Sequence, residues 1–192
     1  MNIPVSAVSG EPFIAPVERP RSFVMRVVYA ITQKQFGKVL TPLKVWAVRL
    51  PPAFGTFVGK ISQLDKKLVV PRDLQFLIRH RVAQINTCSF CVDIGRFFAM
   101  KEHVAEDKIQ AVHRYNESPL FSDRERAALD YATELTRDKR IGPVTVARLK
   151  SHFTEREICE IAWLVAGEHV YNMINVGLNI HSDMLCSVPA AR

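Results

Sequence analysis

The 192-residue chain has no run of about 18 uncharged apolar residues, the length that a membrane-spanning helix needs. Its two most apolar stretches, 23–31 and 158–167, are broken by Arg26 and Glu160. The first residues lack a basic segment leading into an apolar one, so no secretory signal is read there. A cytoplasmic location, with thiols reduced at rest, is the expectation. Alternating apolar and polar residues bounded by hairpin turns are missing throughout, which argues against a sheet. Repeats and low-complexity tracts are lacking as well. Acid is missing from one long segment: between Arg19 and Arg49 stand seven Lys or Arg residues (19, 21, 26, 34, 38, 44, 49) and no Asp or Glu. That segment is large enough in charge to account for the whole net +7. Such a patch suits nucleic acid, an anionic membrane surface or an acidic partner. No nucleic-acid-reading motif accompanies it, so a solvated basic face on otherwise ordinary helices is the favoured reading.

What is present is a globular composition, 48% hydrophobic and 23% charged, in a chain long enough to bury a sizeable core. Residues 1–20 carry Pro4, Pro12, Pro16 and Pro20 with little apolar periodicity, the pattern of an extended arm. Helical periods begin at residue 21. Phe23, Val27, Ala30 and Ile31 recur at three- and four-residue spacing, and Gly37 and Pro42 punctuate the end. A short apolar helix over 43–50 closes at Pro51-Pro52, and Phe54, Phe57, Val58, Ile61 and Leu64 form another stripe. Pro71 suits the first turn of a helix running to about Asn86, and 92–100 continues helically. Ser122 with Glu125, and Thr154 with Glu157, are capping boxes that open two further helices, the second reaching about Ile180. Gly142-Pro143 separates the two. The expectation is an all-α bundle of seven to nine helices: an arm over 1–20 and a helical domain over 21–192. Its core spans about 52–183, with basic helices over 21–50.

Cysteine is scarce and unevenly placed, at 88, 91, 159 and 186. Four cysteines in a reducing compartment do not make a disulfide scaffold. The close pair lies in Asn86-Thr87-Cys88-Ser89-Phe90-Cys91. Asn86 or Thr87 suits the cap of a helix whose first turn holds both thiols. A three-residue offset advances a helix by only about 4.5 Å and keeps both side chains on one face, within bridging range. Free amide donors and the positive end of the dipole favour thiolate there. A thiolate attacks a peroxide or a disulfide, and its neighbour resolves the product as an intramolecular disulfide. Two alternatives remain open at this point: half of a zinc site, although no second ligand pair shows recognisable spacing, and two inert buried cysteines.

The run Arg81-Val82-Ala83-Gln84-Ile85-Asn86-Thr87-Cys88-Ser89-Phe90-Cys91-Val92-Asp93 resembles the active-site stretch of the carboxymuconolactone decarboxylase and alkylhydroperoxidase D (AhpD) family. The likeness is strong over 71–100 and continues as helix order through 122–138 and 154–180, with residues 1–50 outside it. It implies an AhpD-like helical bundle, trimers or hexamers, and no organic cofactor. It also implies Cys88 and Cys91 as the catalytic dithiol, reducing hydroperoxides with electrons from a thioredoxin-like or dihydrolipoyl protein. By resemblance Cys91 attacks first, whereas the helix-dipole argument favours Cys88. The family's proton relay, a Glu twelve residues before the first cysteine and a His four after the second, falls here on Phe76 and Gly95. Neither transfers a proton, and general acid–base help contributes typically about 10²- to 10⁴-fold.

His80, one turn beyond Phe76 on the same helix, is the candidate replacement base, set against an ordinary place near solvent within Arg79-His80-Arg81. Arg81 is expected to pair with an acid, and Asp93 to face away from the thiols. Glu168, His169, Tyr171 and Asn172 form a polar cluster suited to an interface or to the rim of the dithiol. Cys159 reads as core packing and Cys186 as exposed. The leading function is therefore a dithiol oxidoreductase acting on organic hydroperoxides or disulfides. A redox-responsive binding protein stands second, and lactone decarboxylation, which has no need of the cysteine pair, third.

Overall fold

The computed structural model describes residues 10–186. Within them every regular element is helical, as composition and periodicity led us to expect. Part of the N-terminal arm, residues 1–9, lies outside the described residues, as do 187–192 at the other end of the proposed helical domain.

The eight α-helices are α1 (Phe23–Phe36), α2 (Gly59–Asp65), α3 (Arg72–Ile85), α4 (Ser89–Lys101), α5 (Glu106–Ala111), α6 (Asp123–Asp138), α7 (Pro143–His152) and α8 (Glu155–Gly177). Gly37 ends α1 with φ of 73°, a left-handed cap that glycine adopts without Cβ strain. Two π-helical turns, Leu43–Ala47 and Ala53–Val58, precede α2. Pro52 has helical φ and ψ and leads into the second of these turns, so the Pro51-Pro52 pair both ends one helical stretch and opens the next. A single 3₁₀ turn, Val112–Arg114, follows α5. Both predicted capping boxes are formed, Ser122 with Glu125 at α6 and Thr154 with Glu157 at α8. Gly142-Pro143 does more than separate these helices. Gly142 caps α7, and Pro143 occupies its first turn, where a missing N–H costs nothing.

Helix α3 is the hub, packed on α4, α6 and α8. Leu74, Ile78 and Val82 project from it into a core shared with Ala127, Ala128 and Ala132 of α6 and Ile161, Leu164 and Val165 of α8. Leu77, on another face, meets Val112, Phe121 and Leu129. The remaining large cluster encloses Cys88 and Cys91. It draws on α1 (Met25, Tyr29, Phe36), the first π turn (Leu43, Val45, Ala47), α4 (Phe90) and the C-terminal segment (Ile180, Leu185).

The segment before α1 is tied down by backbone bonds from Phe13 N–H to the Leu178 carbonyl and from Val17 N–H to that of Lys44. Several basic residues of 19–49 serve as staples as well as solvated charge. Lys38 donates to the Asp183 carbonyl, Lys44 pairs with Glu18 at 2.8 Å, and Arg49 donates to the Ala15 carbonyl at 2.9 Å. No helix among the described residues is long and apolar enough to cross a membrane.

Candidate functional site

The chain reaches the dithiol through a tight connection between α3 and α4. Asn86 caps the C-terminus of α3, and Thr87 turns the backbone with φ of 55°. Cys88 itself is the N-cap of α4, a position expected for Asn86 or Thr87. Asn86 is used instead to end the preceding helix, which leaves the thiol side chain as the acceptor at the start of α4. Cys88 Sγ accepts the N–H of Cys91 at 3.3 Å. Cys88 and Cys91 are joined as a disulfide with Cα atoms 5.2 Å apart. Both are buried, at 0% and 6% exposure, so substrate does not meet them on an open surface.

Cys91 Sγ also accepts a hydrogen bond from Asn175 Nδ2 of α8 at 3.5 Å. Asn175 Oδ1 in turn accepts from Trp46 Nε1 of the first π turn at 3.4 Å. Asn175 was not among the residues picked out from the sequence. Its signal was the spacing of Glu168, Asn172 and Asn175, one helical face of an otherwise apolar segment. Nothing in the sequence marked Trp46.

His80 is buried in α3, not near solvent, and its Nδ1 has no hydrogen-bond partner among the described residues. It lies over Gly95, where Nδ1 is 3.9 Å from the place a Cβ would take. Gly95 is one turn beyond Cys91 on the same face of α4. Burial, helped by the charge of Arg96, lowers the imidazole pKa to about 4, so it is neutral at physiological pH. Phe76 packs on Ala99, Val104 and Ile109 with the Arg72 guanidinium 5.1 Å from its ring centre. That position is apolar in fact as well as in sequence.

The polar cluster of α8 lies beside the dithiol connection. Asn86 Nδ2 donates to Asn172 Oδ1 at 2.9 Å and lies 3.2 Å from His169 Nδ1. Asn172 Nδ2 donates to Glu168 Oε1 at 2.7 Å. Arg79 bridges Glu168 and Asp65, at 3.3 and 2.7 Å. Burial raises the Glu168 pKa, outweighing the opposing charge of Arg79 and the Asn172 hydrogen bond. Tyr171, the fourth member, packs against the cysteine cluster and the Phe57 ring.

Arg81, Cys159 and Cys186 are placed differently from expectation. Arg81 makes no ion pair among the described residues. Its Nε donates to Thr133 at 2.9 Å and its guanidinium lies over Tyr115, lining a crevice of about 210 Å³ with Arg114 and Arg137. Cys159 is exposed, because its side of α8 looks away from the core. Cys186 is half-buried, and its thiol pKa is raised by burial and then by Asp93. Asp93 anchors the C-terminal segment by accepting from Ser182 Oγ and Leu185 N–H. No cluster of three or more potential metal ligands occurs among the described residues.

The sequence profile of the Carboxymuconolactone decarboxylase family matches residues 52–134, the stretch from the second π turn through the dithiol into α6. Uncharacterized protein YnjA of Escherichia coli (strain K12) is 30% identical over 177 residues, spanning 88% of this chain and 93% of that protein. The chain belongs to the carboxymuconolactone decarboxylase family. Uncharacterized protein YdfG of Bacillus subtilis (strain 168) is 28% identical over 120 residues, spanning 62% of this chain and 82% of that protein. Two solved structures show the same fold. Debrominase Bmp8 superposes with a TM-score of 0.77 at 19% identity, covering 90% of this chain and 93% of its own. ATU0492 of Agrobacterium tumefaciens, a putative antioxidant defence protein AhpD, gives 0.67 at 24%, covering 71% and 94%. The bundle is thus the AhpD-like fold of this family. Trp46 and Asn175, the two residues wired to Cys91, lie outside the profile-matched stretch.

Proposed function

We propose that this protein is a dithiol oxidoreductase in which Cys88 and Cys91 cycle between thiol and disulfide, with organic hydroperoxides or disulfides as oxidant. The Cys88–Cys91 bond at the N-terminus of α4 carries the reading. Each sulfur already holds one N–H donor, so charge on either is stabilised in the reduced state. With a hydroperoxide, one thiolate attacks the terminal oxygen and the O–O bond breaks. The departing alkoxide takes a proton and leaves as alcohol, and the sulfur becomes a sulfenic acid. The second thiol attacks that sulfur, the S–O bond breaks and water leaves with the disulfide formed. A thioredoxin-like or dihydrolipoyl protein returns two electrons and two protons by thiol–disulfide exchange. A cytoplasmic setting, where such donors are kept reduced, suits the cycle. No organic cofactor enters it.

His80 is the protein's candidate for the proton step. Neutral and unpartnered over Gly95, its Nδ1 is free to act as a hydrogen-bond acceptor or base, but it is no general acid near pH 7. The cycle is therefore slower than one with an intact Glu/His relay. A second reading, a redox-responsive switch without fast turnover, is favoured by the burial of both sulfurs. Self-association as a trimer or hexamer belongs to the same proposal, because α1 and α8 leave apolar side chains uncovered, Phe23 (75%), Ile31 (57%) and Met173 (52%) among them.

The test is a thiol count on reduced protein before and after one equivalent of an organic hydroperoxide, with Cys88→Ser and Cys91→Ser beside it. Prompt loss of two thiols, with neither single variant able to form the bridge, supports the oxidoreductase. Thiols that stay reduced in hydroperoxide but oxidise with a small disulfide point to exchange chemistry. Slow oxidation that changes shape without turnover by any dithiol donor supports the switch.

A further inference from the structure

The contact between Asn175 and Cys91 fixes more than packing, because only one orientation of the amide satisfies both of its neighbours. An indole N–H donates and never accepts, so the Trp46 ring requires the oxygen of Asn175 to face it. The NH₂ group is then directed at Cys91 Sγ. Asn175 is buried, at 4% exposure, so no water competes freely for either end. This is the sole side-chain hydrogen bond to either sulfur among the described residues; the other donor, the N–H of Cys91 to Cys88 Sγ, belongs to the backbone.

From α3, His80 faces Gly95, one turn beyond Cys91, and is neutral, while Asp93 of α4 is bound to Ser182 and Leu185. The hydrophobic side chains around the pair include Tyr29 and Tyr171. Tyr29 donates its hydroxyl to the Val17 carbonyl at 2.9 Å, and burial raises its pKa. Tyr171, partly buried against the cluster, is likewise held neutral, its pKa pushed up to about 12 chiefly by burial. Burial in such a cluster favours thiol over thiolate, and a fixed N–H donor reverses part of that cost.

Resting on the dithiol reading above, we infer that Trp46 clamps Asn175 so that its amide donates to Cys91 Sγ and lowers the pKa of Cys91 in the reduced pair. Asn175 touches the reacting sulfur and is a catalytic residue; Trp46 acts through it and is a positioning residue. The arrangement also gives the N-terminal region a part in the chemistry. Trp46 is delivered by the π turn Leu43–Ala47, which lies before the profile-matched stretch and contributes Leu43, Val45 and Ala47 to the wall around both sulfurs.

The experiment reads thiolate formation by ultraviolet absorbance against pH, in full-length protein with Cys159 and Cys186 replaced by Ser. Cys88→Ser isolates Cys91, and Cys91→Ser isolates Cys88. In the first background Asn175→Leu raises the Cys91 pKa by about one to two units, the scale of a hydrogen bond to a charged group. Trp46→Phe keeps the ring packed against Phe54 but frees the amide to turn, and raises the same pKa by a smaller amount. Neither substitution moves the Cys88 pKa appreciably, and near-ultraviolet circular dichroism confirms the fold of each variant. The inference is overturned if the Cys91 pKa is unchanged in a folded Asn175→Leu protein, or if Trp46→Phe shifts both cysteines equally. A protein that shows the predicted shifts yet is inert to hydroperoxide and disulfide alike overturns the oxidoreductase reading and leaves this one standing.

Discussion

His80 shows how one buried side chain couples the site to stability. In an unfolded chain its imidazole titrates near the ordinary value of about 6.5, whereas in the fold burial lowers it to about 4. The native state therefore resists a proton that the unfolded state accepts. The stabilisation is complete above about 6.5 and is lost as the pH falls through about 4. The full loss is on the order of 3 kcal/mol, a large share of the stability of a domain. Urea unfolding followed between pH 7 and pH 4 should show this decline, and His80→Phe, which carries no proton, should flatten it. An equally steep decline in the variant would assign the acid sensitivity to other groups. His80 was legible in the sequence as a candidate because it lies one turn from Phe76. Its burial was not, since Arg79-His80-Arg81 reads as a basic surface triplet. Arg79 is in fact paired with Asp65 and Glu168, and Arg81, still charged, is held by a hydrogen bond to Thr133 and by the Tyr115 ring. Both partnerships are long-range and leave no local trace.

At the scale of elements, the local signals that carry their own hydrogen bonds were readable. In α6 and α8 the hydroxyl of the cap accepts from the backbone N–H of the glutamate three residues on, and that glutamate bonds back. Thr154→Ala removes the hydroxyl half of the α8 box and should cost about 1 kcal/mol, measured as a lower midpoint in urea, while Thr154→Ser should retain most of it. An unchanged midpoint for the alanine variant would mean that the start of α8 is held by packing and by the Arg124–Glu157 pair alone. The start of α4 was misread for a related reason. Asn86 and Thr87 are good capping residues in isolation, but Asn86 is taken by the end of α3 and by Asn172. Cys88 inherits the cap. Helix α7 escaped notice because Gly142-Pro143 reads equally as a loop; only packing against α6 and α8 decides.

At the scale of the molecule, the dithiol is enclosed by parts of the chain remote from it in sequence. Residues from α1, the first π turn and the segment after α8 close over a cysteine pair that the hub helix α3 presents. That Cys88 and Cys91 lie within bridging range was readable from spacing, because it needs only three residues of local chain. The enclosure was not, because it depends on the return of the chain from both ends.

Covering the pair from within leaves other apolar side chains outside. On α1, Phe23, Val24, Val27 and Ile31 are exposed, while Met25 and Tyr29 of the same helix face the cysteines. A helix so apolar on both sides is costly as a free surface, since each fully buried large side chain gains roughly 1.5–3 kcal/mol. Self-association is the remedy that the fold invites, and Val24→Glu with Ile31→Glu should oppose it by placing charge on the uncovered stripe while the dithiol-facing residues remain intact. Sedimentation at micromolar concentration should show a trimer or hexamer for the native chain and a smaller particle for the double variant. Thiol oxidation of the Cys88–Cys91 pair serves as the control for its fold. A native chain that sediments as a monomer would end the oligomer proposal. A double variant of unchanged mass would move the contact to the other uncovered apolar stripe, Trp163, Val170 and Met173 of α8.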